Sequence, residues 1–268
     1  MIKDITLGQY YPGESFIHRL DPRTKILIAL AYLVSLFFIK NFVGFAVAAL
    51  FFAACARIAR IPIRLLINGV KGILFIIMLT ALVNLFMTPG NVLWQWHFIK
   101  ITSEGIYRSA FMAIRLMLLI LGSTLLTLTT KPLALTDGLE RLFSPFRKIG
   151  LPAHELAMMI SIALRFIPTL LDETDKIMKA QTSRGADFES GNIFQRAKSL
   201  IPLLVPLFVS AFRIAGDLAM AMEARCYRGG DGRTRMNGMS FKRRDAVATA
   251  VFIVYLAAVI ALRYTALF

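Results

Sequence analysis

The sequence predicts an all-α membrane protein, with about five transmembrane helices and three further helices on the cytoplasmic side. Three observations carry this. The 268-residue chain is 57% hydrophobic with a mean hydropathy of +0.65, well above an ordinary soluble domain. Several apolar runs approach the roughly 20 residues a helix needs to cross a bilayer. Its net charge of +15 is concentrated in a few segments instead of being spread along the chain.

The first 21 residues lack the basic, apolar and small-residue layout of a cleaved signal peptide. Asp21 is a good N-cap and Pro22 suits the first helical position, so a helix starts there and Ile26–Ile39 forms span one. Phe42–Ile58 is span two. Arg57, Arg60, Pro62 and Arg64 mark a basic turn, and span three runs from about Leu65 to Met87, stopped by Pro89-Gly90. Trp94 and Trp96 suit a membrane–water interface. Span four covers about Glu104 to Thr130, with Arg108 and Arg115 on one face, and span five covers Ala246 to Leu262. Residues 1–130 therefore form an N-terminal membrane segment, 131–244 a cytoplasmic region and 245–268 a final membrane helix.

Charge counting orients the chain. Four Lys and Arg lie in residues 1–25, four in 57–71 and 18 in 131–244 of the 31 in all. With five spans these rich segments share one side, which the positive-inside rule makes cytoplasmic. The N-terminus is expected inside and the C-terminus outside. The same rule accounts for the basic surplus without nucleic acid, since no interleaving of aromatic and basic residues is present.

The region 131–244 reads as three helices. Leu139, Leu142, Phe143 and Phe146 give a short amphipathic one. A second starts near Pro152 and runs to Ser183 or Arg184, kinked at Pro168, with Asp172/Lys176 and Asp175/Lys179 as i,i+4 pairs. After a polar connector from Gly185 to Gln195, a third carries Ile201, Leu204, Val205, Phe208, Phe212 and Met222, and stops at Gly229-Gly230. Pro202, Pro206, Arg213 and Asp217 favour a surface-lying helix there over a span.

Both long helices end on an arginine between small residues: Ser183-Arg184-Gly185 and Ala224-Arg225-Cys226, each with Ala four places before the arginine. A cation in a last helical turn gains about 0.3–1 kcal/mol from the dipole, which would explain one such residue. Repetition at two successive helix ends points to docking of a long side chain into a pocket on a partner. Other classes find less support. His18, His97 and His154 are scattered, no HExxH or carboxylate pair is present, and Cys55 and Cys226 form no ligand cluster. A secondary transporter would show an internal repeat of spans, and none is found. The chain also lacks G-x-x-x-x-G-K-[ST], so energy must come from another chain.

These residues resemble the transmembrane T component of energy-coupling factor transporters, the vitamin- and metal-importing branch of the ATP-binding-cassette superfamily. The resemblance rests on Gly8-Gln9-Tyr10, His18–Lys25, Ser161–Pro168, Ser183–Asn192 and Ala219–Gly230. It implies that Arg184 and Arg225 are the centres of two triplets, Ser183-Arg184-Gly185 and Ala224-Arg225-Cys226, that dock into two similar but distinct ATPases. The family's triplets often read Ala-Arg-Gly or Ala-Arg-Ser, so the flanking positions here depart from it. It also implies that the apolar faces, with Phe208, Phe212, Ala215 and Leu218, cradle a separate and exchangeable substrate-binding S component. The chain would then be a non-catalytic coupling subunit for vitamin or micronutrient uptake in a prokaryotic cell membrane. No cofactor is expected on this chain, ATP and Mg being held by the partners. A component dedicated to one substrate, such as cobalt, nickel or biotin, is the alternative.

Overall fold

The computed structural model describes residues 10–96, 99–149, 152–188, 192, 194, 199–229 and 239–264, without the side chains of 94–101, 147–149 and 153. The described chain is helical apart from one hairpin. It forms two units, one within Phe143–Asn237 and the other made of Gly8–Leu142 with Gly238–Phe268. Gly8, Gln9, the segment 189–191 and Gly230, all in the motifs above, lie outside the described residues.

Helix α1 (Pro22–Phe38) begins as its sequence requires. Asp21 is the N-cap and its carboxylate accepts the Arg23 N–H at 3.0 Å, with Pro22 at the first helical position. With α2 (Phe42–Ala59), α5 (Ser103–Thr129) and the final helix α9 (Arg243–Tyr264) it builds a four-helix bundle around Leu36, Phe45, Ala48, Leu118, Phe252 and Tyr255. Small residues let these helices close up. A Cβ at Gly122 would sit 2.9 Å from the Tyr32 ring, so that position brings α5 against α1.

Polar contacts at the two ends of the bundle fix its directions. Lys25 Nζ donates to Thr129 O at 2.9 Å at one end, and Arg115 donates to Ile39 O at 3.2 Å at the other, so α1 and α5 are antiparallel. Arg115 also lies over the rings of Phe37, Phe45 and Phe111, which accounts for a cation at that depth. The Asp21 N–H donates to Asp245 Oδ1 at 2.7 Å, while Asn41 Nδ2 approaches Leu262 O at 3.5 Å. Helices α1 and α9 are therefore parallel.

One expectation is corrected here. The third span is not one helix: α3 (Ile63–Lys71) and α4 (Leu74–Met87) meet at an angle of 59° around Gly72. The piece after α4, which carries Trp94 and Trp96, is an antiparallel hairpin of β1 (Val92–Trp96) and β2 (Ile99–Thr102). Its β-branched and aromatic residues favour strands. Glu104 ties its base by accepting the Asn91 N–H at 2.7 Å, and Thr102 N-caps α5 through the Gly105 N–H at 3.0 Å.

The other unit holds the long helices α7 (Ala153–Ser183) and α8 (Ile201–Ala224), preceded by α6 (Pro132–Phe143) of the bundle unit and a 3-10 turn (Ser144–Ile149). Helix α7 is continuous through Pro168. Lys176 pairs with Glu173 one turn back, at 3.6 Å, in place of the expected partner Asp172. Five described helices are long and apolar enough to cross a membrane: α2, α5, α7, α8 and α9. The count agrees with expectation but the membership does not. Helix α1, at 17 residues, falls just short, and the bent α3–α4 pair would be a sixth span.

Candidate coupling surface

The ends of α7 and α8 are built alike. In α7 the Gly185 N–H donates to Thr182 O and the Ala186 N–H to Gln181 O, both at 3.0 Å, with Gly185 at φ +91°. In α8 the Cys226 N–H donates to Glu223 O at 2.8 Å and the Tyr227 N–H to Met222 O at 3.0 Å, with Cys226 at φ 55°. Both are Schellman caps, which satisfy the last carbonyls by turning one residue into the left-handed region. Arg184 and Arg225 are the C-cap residues, at φ −91°, ψ 5° and φ −92°, ψ 13°.

This geometry revises why the following residue is small. Position 185 or 226 must adopt positive φ, where a Cβ is crowded and glycine is free. The second triplet breaks that preference with a cysteine, so its cap carries local strain. Both arginines are exposed, as are Ser183, Gly185, Ala224 and Cys226. Among the described residues neither guanidinium has a hydrogen-bond or carboxylate partner. Each therefore keeps its full fork of donors for another molecule.

Helix α7 packs against α8, and two contacts set the direction. Tyr227 Oη donates to Met158 Sδ at 3.1 Å near the start of α7, and Ser210 Oγ to Glu173 Oε1 at 3.4 Å midway along. As one number rises the other falls, so the helices are antiparallel. The cap of α8 is pinned beside the first turns of α7, whereas the cap of α7 projects the other way. At about 1.5 Å per residue the two arginines are about 40 Å apart along α7. Tyr227, which makes the first of these contacts, figures in the sequence only as part of the Ala219–Gly230 run. It stands two places after Arg225, where a Schellman cap usually makes an apolar contact.

The two faces of α8 differ. Leu203 and Ser210 are buried on the side that carries the Glu173 contact. The opposite side is apolar and open: Phe208 is 61% and Phe212 75% exposed, and Ala215 is exposed beside them. Leu218 is half-buried and sits at the boundary between the faces.

The described residues thus form an α-helical membrane protein with an apolar bundle and two long helices tipped by matched arginine caps. The family model described as cobalt transport protein matches residues 13–236. Relatives named energy-coupling factor transporter transmembrane protein EcfT span almost the whole chain. The one from Thermosediminibacter oceani is 58% identical over 92% of this chain and 93% of its own. That from Clostridium kluyveri is 56% identical over 95% of both, and that from Bacillus subtilis 45% over 98% of this chain and 100% of its own. The chain belongs to this family, the transmembrane components of energy-coupling factor transporters.

Proposed function

We propose that this chain couples ATP hydrolysis on two partner ATPases to the movement of a separate substrate-binding membrane protein. The observation that carries the reading is the pair of matched, exposed arginine caps, unpartnered among the described residues, at opposite ends of one antiparallel helix pair. Two similar pockets about 40 Å apart, one on each of two ATPases, would meet such a scaffold. The outer face of α8, with Phe208, Phe212 and Ala215, receives the substrate-binding component, and Leu218 borders that contact. Closure of the ATPases around ATP shifts the two helix ends and tilts that component between outward and inward states.

The reading places α7 and α8 along the cytoplasmic membrane surface, not across the bilayer. Arg165, Asp172, Glu173, Asp175, Lys176 and Lys179 lie in α7, and a charge at mid-bilayer costs about 2.5–3.5 kcal/mol. The parallel run of α1 and α9 supports an inside N-terminus and an outside C-terminus in a bacterial cell membrane. The full-length relatives carry a general transporter name, which favours a module shared by several vitamins or micronutrients. The cobalt description of the family model favours a dedicated metal importer as the second reading. ATP and Mg belong to the partners in either case.

The test is the Arg184→Ala/Arg225→Ala double variant, with Arg57→Ala as an exposed control outside this unit. Removing one partner of a buried charge contact costs about 2–5 kcal/mol, so ATPase co-purification and ATP-driven uptake are expected to collapse while membrane insertion persists. Normal uptake with a full complement of ATPases would reduce both arginines to ordinary helix caps.

A further inference from the structure

A cavity of about 290 Å³ lies inside the bundle unit, between α1, α2, α5 and α9. Its wall is nearly all apolar, with Ile28, Phe52, Cys55 and Leu125 among the lining, and it has one cation, Lys25. It is about twice the size of the ~150 Å³ apolar cavity known to stay dry and take benzene. Water would find too few of the 2–4 polar partners it needs there.

Its open side shows what can enter. Phe16, Ile58 and Val247 line it and are exposed, so the rim is hydrocarbon and faces sideways from the bundle. A water-soluble ligand has no route past such a rim, whereas a chain already dissolved in the bilayer does. From Lys25 to Tyr32 the cavity follows two turns of α1, about 10 Å.

The polar end matches. Lys25 is only 7% exposed, and its Nζ donates to two neutral carbonyls, Thr129 O and His18 O at 3.0 Å. An ammonium has three donors, so one remains, and neither acceptor neutralises the charge. The charges of Asp245 and Asp21 offset that of Lys25 only in part, and among the described residues neither carboxylate lies within ion-pair distance of Nζ. Asp245 takes the N–H groups of Asp21 and Lys242, and Asp21 takes that of Arg23.

We infer that this cavity holds one acyl chain of an anionic phospholipid, with the headgroup phosphate over Lys25. The bundle would thus be completed by lipid where protein side chains leave it unfilled.

The experiment uses the full-length chain purified in mild detergent and exchanged into nanodiscs of phosphatidylglycerol or of phosphatidylcholine. Native mass spectrometry of the wild type is expected to retain one phosphatidylglycerol per chain and little phosphatidylcholine. Ala29→Phe and Ala248→Phe fill the cavity from opposite walls and are expected to lower retention about tenfold with an unchanged or raised melting temperature. As a check needing no variant, maleimide labelling of Cys55, located by peptide mapping, is expected to be slower in phosphatidylglycerol than in phosphatidylcholine. The inference is overturned by equal retention of the two lipids, by a free fatty acid or a partner side chain as the occupant, by folded filled variants that keep their lipid, or by equal Cys55 labelling.

Discussion

The backbone N–H of Asp21 donates to the carboxylate of Asp245 over 2.7 Å, which joins the start of the first helix to the start of the last. Both residues are buried, and Asp245 also takes the Lys242 N–H at 2.9 Å. One carboxylate thus holds the beginnings of α1 and α9 side by side and makes the two helices run the same way.

That parallel run carries a topological prediction. A reporter fused after Phe268 is expected to be active only outside the cell, and one inserted between Gly229 and Asn237 only inside. Activity of both on the same side would remove α9 from the set of spans.

Lys25 lies next to this junction, one residue ahead of the apolar run of α1. Burial lowers its pKa from 10.5 to about 8, partly offset by the charges of Asp245 and Asp21. Between about 8 and 10.5 the unfolded chain holds a proton that the folded chain has released. Stability therefore rises with pH through that window and falls back below it, by up to about 3 kcal/mol. Melting temperatures of the wild type and Lys25→Met between those pH values test this. The variant should lose that part of the rise, and parallel curves would refute it.

The strained cap of α8 makes a local prediction. Cys226→Gly frees the positive φ and is expected to stabilise the cap by about 1 kcal/mol, which slows amide exchange at 226 and 227 about fivefold. Cys226→Val should act in the opposite sense, since a β-branched residue is poorly suited to that region. Unchanged exchange in both variants would mean the cap is not strained.

On the outer face of α8, Phe212→Glu is expected to weaken capture of the substrate-binding component about tenfold or more, the worth of one buried aromatic. Both ATPases should remain bound. Loss of the ATPases with normal capture would reverse the assignment of the two surfaces.

Much of this protein was decided by short-range chemistry, and that part is legible in the sequence. Asp21-Pro22 starts α1, Pro152 marks a later helix start, and the small–Arg–small triplets mark two helix ends, because caps are satisfied within about six residues of chain. The family likeness rests on the same local runs. What the sequence could not supply is which side of each membrane helix faces its neighbours. Helices α1, α2 and α9 are apolar nearly all round, so no periodic stripe reveals the packed face. Only the tertiary structure places Gly122 against Tyr32, closes α1 onto α9 through Asp245, and leaves the cavity beside Lys25. It also decides that α7 and α8 run antiparallel through Met158–Tyr227 and Glu173–Ser210, which sends two similar arginine caps in opposite directions. Those contacts join residues 37 to 224 positions apart, and no local rule of helix or turn chemistry reaches so far.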